Sequence, residues 1–250
     1  MRVDSKNIEF GEELIAVIPY AYYHYIQGNL TSTVSGVGSE AFYYFSPHHA
    51  INKKKRNCNY SNHKVPNRRV WLFNGRGEWL APPYKEYYKN DKFVYDKPIL
   101  VVANKYNLEW FRDPVNYLDL GTLRKIFDLH PNHEIFYNRK MPDTLLDDQG
   151  IMDLHEYDTI KKDYPHVHLL HELPGDYNLN QLMVYANCDK FISVQGGNSI
   201  LASYFGGKNY IYAVKGKELE CGFYYRLDKL SGCQVIHVRS YSELIRYLNK

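Results

Sequence analysis

No apolar run in the chain reaches the roughly 18 residues that a bilayer-crossing helix needs, so a membrane span is not expected. The stretch from Met1 to Gly11 is polar and acidic, without the basic start and apolar centre of a secretion signal, and the expected location is cytoplasmic. The sequons at Asn29–Leu30–Thr31 and Asn59–Tyr60–Ser61 then count as chance matches. Cysteine is scarce. Cys58, Cys188, Cys221 and Cys233 form no CxxC pair and are not spaced with histidines as a zinc site requires, which argues against a disulfide framework and for reduced thiols. The net charge is only +3, too small an excess to make nucleic acid the expected partner.

Several motifs are also missing. Without GxxxxGK[ST] there is no phosphate loop of the ATP- or GTP-hydrolysing kind. Without GxSxG an α/β hydrolase is disfavoured. Gly36, Gly38 and Ala41 fit GxGxxA, but the preceding strand is poor, and the chain is basic about twenty positions on, where a dinucleotide fold needs an acid. No aspartate stands two positions from another, so the DxD arrangement that holds a divalent metal is absent and no metal is expected. Any leaving-group charge must then be met by helix N-termini, Lys and Arg.

What is present is an ordinary globular composition, 44% hydrophobic and 24% charged, with an unusual 25 tyrosines. Coding bias explains the tyrosines as readily as amphipathic walls for sugars and bases do. The basic residues Lys53, Lys54, Lys55 and Arg56, with Lys64, Arg68 and Arg69, form either a solvated loop or a phosphate-neutralising patch.

Residues 1–95 read as a small, loop-rich half that faces a substrate and links to the rest of the chain. Its apolar run Leu14–Pro19 suits a buried strand, Ser35–Ser39 a glycine-rich turn opening a helix over Glu40–Phe45, and His48–Tyr95 a long irregular segment with a brief strand at Val70–Phe73. Residues 96–250 change texture. Strands are expected at Pro98–Ala103, Glu134–Tyr137, Val167–Leu170, Phe191–Val194, Tyr210–Ala213 and Gln234–Val238. Helices are expected at Pro114–Leu129, Asp153–Asp163, Leu179–Asn187, Ser199–Phe205 and Tyr241–Leu248. Short apolar strands alternating with helices predict an α/β fold, a Rossmann-like parallel sheet with helices on both faces.

In such a sheet, ligands bind beyond the carboxyl ends of the strands. Gln195, Gly196, Gly197, Asn198 and Ser199 follow Phe191–Val194 and precede a helix, so the glycines allow close backbone approach while Asn198 and Ser199 are suited to cap the helix and its N–H groups to face a diphosphate. The plainer alternative is a tight strand-to-helix turn. Asn104, Lys105, Tyr106 and Asn107 follow the first of these strands, with Glu109, Trp110 and Arg112 close behind; Lys105 suits a phosphate and Trp110 a stack on a sugar or base, or the segment is a solvated loop. Arg139 either clamps a diphosphate or pairs with Asp143 or Asp147. Glu172 either accepts bonds from ribose or sugar hydroxyls or faces solvent. His48 and His49 are candidate general bases for a sugar hydroxyl, or polar surface.

The stretch Ala186, Asn187, Cys188, Asp189, Lys190, Phe191, Ile192, Ser193, Val194, Gln195, Gly196, Gly197, Asn198, Ser199, with Ala202–Gly207 behind it, resembles the C-terminal half of GT-B type glycosyltransferases, particularly microbial and viral ones. Tyr84–Tyr88, Lys97–Tyr106 and Ile135–Arg139 look similar, so the likeness runs mainly over Pro82–Val238. It implies a GT-B-like C-terminal domain that holds a nucleotide-sugar as co-substrate, and an N-terminal half that binds a glycan or glycoconjugate acceptor. The N-terminal half departs from that pattern in having too few clear strands for a second Rossmann domain. The expected activity is metal-independent transfer of a sugar to a hydroxyl; the alternative is a non-catalytic carbohydrate- or nucleotide-binding module.

Overall fold

A computed structural model of the protein describes residues 1–54, 77–109, 113–139, 150–220 and 222–250. Lys55, Arg56, Cys58, the Asn59–Tyr60–Ser61 sequon, Lys64, Arg68, Arg69, the Val70–Phe73 strand, Trp110, Arg112, Asp143, Asp147 and Cys221 lie outside the described residues. The described residues divide into two compact units, one within Met1–Pro83 and the other from Tyr84 onward.

The first unit carries a parallel sheet in the order β1 (Arg2–Asp4), β2 (Ser32–Gly36), β3 (His49–Asn52). A helical segment joins β1 to β2: α1 (Phe10–Glu12), a π turn over Glu13–Val17, and α2 (Ile18–Ile26). The run Leu14–Pro19 is therefore helical, which corrects the strand expectation. A fully buried apolar run has no polar face to betray its period, and length decides instead. The chain from Phe10 to Ile26 is too long for a strand, and Pro19 is tolerated within it because the Ile15 carbonyl, four residues back, accepts from Trp79 Nε1 at 2.8 Å. Ser32–Gly36 is a strand, and the helix after it shrinks to a 3-10 turn over Glu40–Tyr43. Glu13 is fully buried and accepts hydrogen bonds from Ser5 Oγ at 2.5 Å, Tyr43 OH at 2.8 Å and Ser39 Oγ at 3.3 Å. Those donors offset the cost of removing a carboxylate from water.

The second unit opens with α3 (Tyr84–Tyr88) and then alternates strands and helices: β4 (Ile99–Ala103), α4 (Leu120–Asp128), β5 (Glu134–Asn138), α5 (Glu156–Asp163), β6 (Val167–Leu169), α6 (Tyr177–Ala186) and β7 (Cys188–Val194). There follow α7 (Gly197–Ala202), β8 (Lys208–Tyr212), α8 (Lys217–Glu220), α9 (Asp228–Ser231), β9 (Gln234–Val238) and α10 (Tyr241–Leu248). The six strands are all parallel, in the order β6-β5-β4-β7-β8-β9. Counted from β4 as first, this is the 3-2-1-4-5-6 order of Rossmann sheets. One sheet face, carrying Leu100, Val102, Ile135, Tyr137, Ile192 and Val194, packs on Leu123, Ile126 and Phe127 of α4, Ile160 of α5 and Leu244 of α10. On the other face Tyr185 of α6 meets Phe191 of β7 and Phe205, with ring centroids 5.4 and 5.5 Å apart, and Tyr84 of α3 lies beside Phe205. Each fully buried aliphatic or aromatic side chain contributes about 1.5–3 kcal/mol.

Caps set the helix starts. Asp119 Oδ1 accepts from Thr122 N at 2.7 Å, Asp176 Oδ1 from Leu179 N at 2.7 Å, and Ser240 Oγ from Glu243 N at 3.1 Å. The first of these shortens the helix expected from Pro114, because Asp119 starts α4 and leaves residues 114–118 outside any helix. Cys188 and Cys233 are buried free thiols, which burial pushes up to about 12 and about 11. Among the described residues no helix is long and apolar enough to cross a membrane.

Candidate functional site

The strand order reverses between β4 and β7, since the chain leaves β4 toward β5 on one side and returns through β7 to the other. At such a switch point the following loops diverge and open a crevice at the carboxyl ends. Four of the candidate residues meet there through their side chains or backbone. Lys105 Nζ donates to Gln195 Oε1 at 2.8 Å, and Asn198 Nδ2 donates to the carbonyl of Asn104 at 3.0 Å. Gly196 lies under the lysine: a Cβ placed on it would be 3.7 Å from Lys105 Nζ.

The bend is a glycine bend for a backbone reason. Gly196 has φ +114° and occupies the N-cap of α7, a conformation that L side chains rarely adopt. Its carbonyl accepts from Ser199 N at 3.1 Å, Ile200 N at 3.3 Å and Ser199 Oγ at 2.8 Å. The N–H groups of Gly197 and Asn198, on half-buried residues, meet no acceptor among the described residues. Neither Asn198 nor Ser199 caps the helix as expected, because the first is turned to Asn104 and the second, fully buried, is turned back on Gly196.

Asn104 is likewise fully buried and acts through structure. Its Oδ1 accepts from Lys105 N and Leu118 N at 2.9 Å each, and its Nδ2 donates to Leu118 O and Tyr137 OH at 3.0 Å each. Two further side chains join this group. Glu109 pairs with Lys105 at 2.8 Å, so the local cation and anion cancel. Asn116, fully buried, donates to Glu109 and Gln195. Glu109 stands four residues after Lys105, but nothing in the sequence ties Asn116 to a motif.

The other candidates sit elsewhere. Arg139 is 1% exposed, with its guanidinium held by both carboxylate oxygens of Glu156, by Met152 O at 3.0 Å and over the ring of Tyr157. It is committed inside the fold and not presented at the strand ends. Glu172, in a 3-10 turn after β6, is half exposed and pairs with Lys161 at 2.5 Å.

His48 and His49 belong to the first unit. His48 is exposed, while His49 stacks on Tyr43 with centroids 5.0 Å apart. Thr33 donates its hydroxyl to Ser46, and Ser46 donates to His48 O, so the Thr33 oxygen is left to accept the Nδ1 proton of His49 at 2.7 Å. His49 Nε2 then carries the lone pair, 3.0 Å from Ser35 Oγ. Burial lowers the imidazole pKa against the opposing pull of Glu40 and Glu13, which keeps the ring neutral near pH 7.

Among the described residues no three His, Cys, Asp or Glu side chains converge as metal ligands. No family model matches the chain, and no curated protein does either.

Proposed function

We propose that the second unit binds a nucleotide-activated sugar at the β4–β7 switch point and that the protein is a glycosyltransferase with a GT-B-like arrangement. The observation that carries this reading is the juxtaposition of an unpaired glycine-bend backbone, at Gly197 and Asn198, with the ammonium of Lys105 above Gly196. Backbone donors and a lysine directed to one place suit a diphosphate, whose charge grows as the sugar departs.

In the transfer, an acceptor hydroxyl oxygen forms the new bond to the anomeric carbon while the bond from that carbon to the diphosphate oxygen breaks. The hydroxyl proton passes to a base, and the electron pair leaves with the diphosphate. Lys105 and the Gly197 and Asn198 amides stabilise that leaving group. Arg139 has no direct part, since its charge is already matched by Glu156.

A second reading draws on one specific observation: Glu109 neutralises Lys105, and a charge-balanced polar crevice also suits neutral hydroxyls. In that reading the unit is a carbohydrate- or nucleotide-binding module without turnover. Thermal-shift measurements with UDP, GDP, CMP and dTDP sugars test binding, because a ligand of the folded form raises Tm. Release of free nucleotide from the sugar that binds separates enzyme from module. No shift with any conjugate overturns both readings.

A further inference from the structure

The loops after β4, β7 and β8 meet on a single carboxamide. Asn116 Nδ2 lies 2.8 Å from Glu109 Oε2, 2.9 Å from Lys215 O and 3.2 Å from Gln195 Oε1, so its two N–H bonds are shared among three acceptors. Its Oδ1 accepts from Val214 N at 2.8 Å and Lys215 N at 3.2 Å, and its own N–H donates to Glu109 Oε1 at 3.3 Å. A fully buried polar side chain that meets partners on three segments both costs much to unpair and fixes those segments against one another.

We infer that Asn116 is the positioning residue of the switch-point site, holding Gln195 and Glu109 where they fix the ammonium of Lys105 over the glycine bend. The inference rests on the reading of this rim as the ligand site. The lysine has both oxygens of its cradle, Gln195 Oε1 and Glu109 Oε1, at 2.8 Å, and each belongs to a group that Asn116 also holds. Asparagine alone supplies this pattern at its size. Aspartate keeps the acceptor for Val214 and Lys215 but loses the donor, and leucine loses both.

The test is Asn116→Asp, which is isosteric. It sets a second carboxylate against Glu109, so the pair takes up a shared proton at a raised apparent pKa, with Lys105 as the contacting cation that opposes the rise. A proton on the pair restores an O–H donor. In the unliganded protein, the Gln195 side-chain amide resonance is expected to move at pH 8 and return toward its wild-type position at pH 5.5, while the Val214 and Lys215 amides stay in place. Calorimetry with UDP and GDP is expected to give affinity about tenfold weaker at pH 8 and recovery to within about threefold of wild type at pH 5.5. Unmoved Gln195 resonances, or a loss equal at both pH values, would overturn the inference. Should Asn116→Asp not fold at pH 8, folding and the Gln195 resonance are read at pH 5.5, where the pair carries its proton; failure to recover either there also overturns the inference. If wild type binds neither nucleotide, the proposed function falls at UDP and GDP, and the unliganded resonances alone decide the role of Asn116.

Discussion

Lys105 and Gln195 stand 90 residues apart in the chain and meet at 2.8 Å across the seam between β4 and β7. Glu109 holds the other side of the same ammonium. Lys105→Ala is therefore expected to weaken binding of a nucleoside diphosphate about tenfold, the scale of one charge-assisted hydrogen bond. Glu109→Gln, which removes the competing anion, is expected to strengthen it. Calorimetry reads both, and weaker binding by Glu109→Gln would mean that the carboxylate is needed, either to hold the ammonium in place or to contact the ligand.

The Arg139–Glu156 pair is buried on both sides. Glu156→Ala leaves a guanidinium inside the fold that keeps, among the described residues, the Met152 carbonyl, the Tyr157 ring and the more distant Asp153, so a loss of roughly 3–5 kcal/mol in urea unfolding is expected. A loss under about 1 kcal/mol would mean that the arginine escapes to solvent.

Gly207, between the 3-10 turn after α7 and β8, has φ +63°, and a Cβ on it would lie 2.1 Å from the carbonyl oxygen of Asp189. Gly207→Ala is expected to cost more than the roughly 1–3 kcal/mol of a left-handed non-glycine residue alone, because the obstacle is backbone. Denaturant titration checks this, and a cost below that range would mean that the start of β7 gives way.

His130 donates from Nδ1 to the Ile126 carbonyl and accepts from Lys190 Nζ at 2.8 Å through Nε2. Burial, with Lys190 and His133 beside it, lowers its pKa to about 4, against a backbone bond that works the other way. Between about pH 4 and pH 6.5 the unfolded chain binds the proton and the folded one does not. Stability is then complete above pH 6.5 and lost as the pH falls toward 4. Tm measured across that window is expected to drop with acid, and less steeply in His130→Gln; an equal slope in both would exclude this histidine as a source.

The six-stranded sheet was legible because β4 to β9 are apolar strands, and all but β8 are followed by a readable helical period; the short α8 and α9 after β8 gave none. The first unit was harder to read. Arg2–Asp4 is too short to alternate, Ser32–Gly36 is mostly small and polar, and the segment around Leu14 is buried on all sides and so has no period to read. At the crevice, strand ends and glycines marked Asn104, Lys105 and Gln195–Ser199, since strand position alone selects them. Partnership did not follow from position. Glu156 lies 17 residues from Arg139, and Asn116 meets Gln195 79 residues away, contacts that only the closed fold creates.

The same sheet order carries a cost during synthesis. Ile99, on the most apolar strand, meets its partner Cys188 only after 89 further residues. At ordinary ribosome speeds β4 waits on the order of ten seconds with one flank unpaired. Until β7 emerges the nascent chain therefore carries an exposed, apolar strand flank, and a chain ended before that strand would leave the flank permanently uncovered.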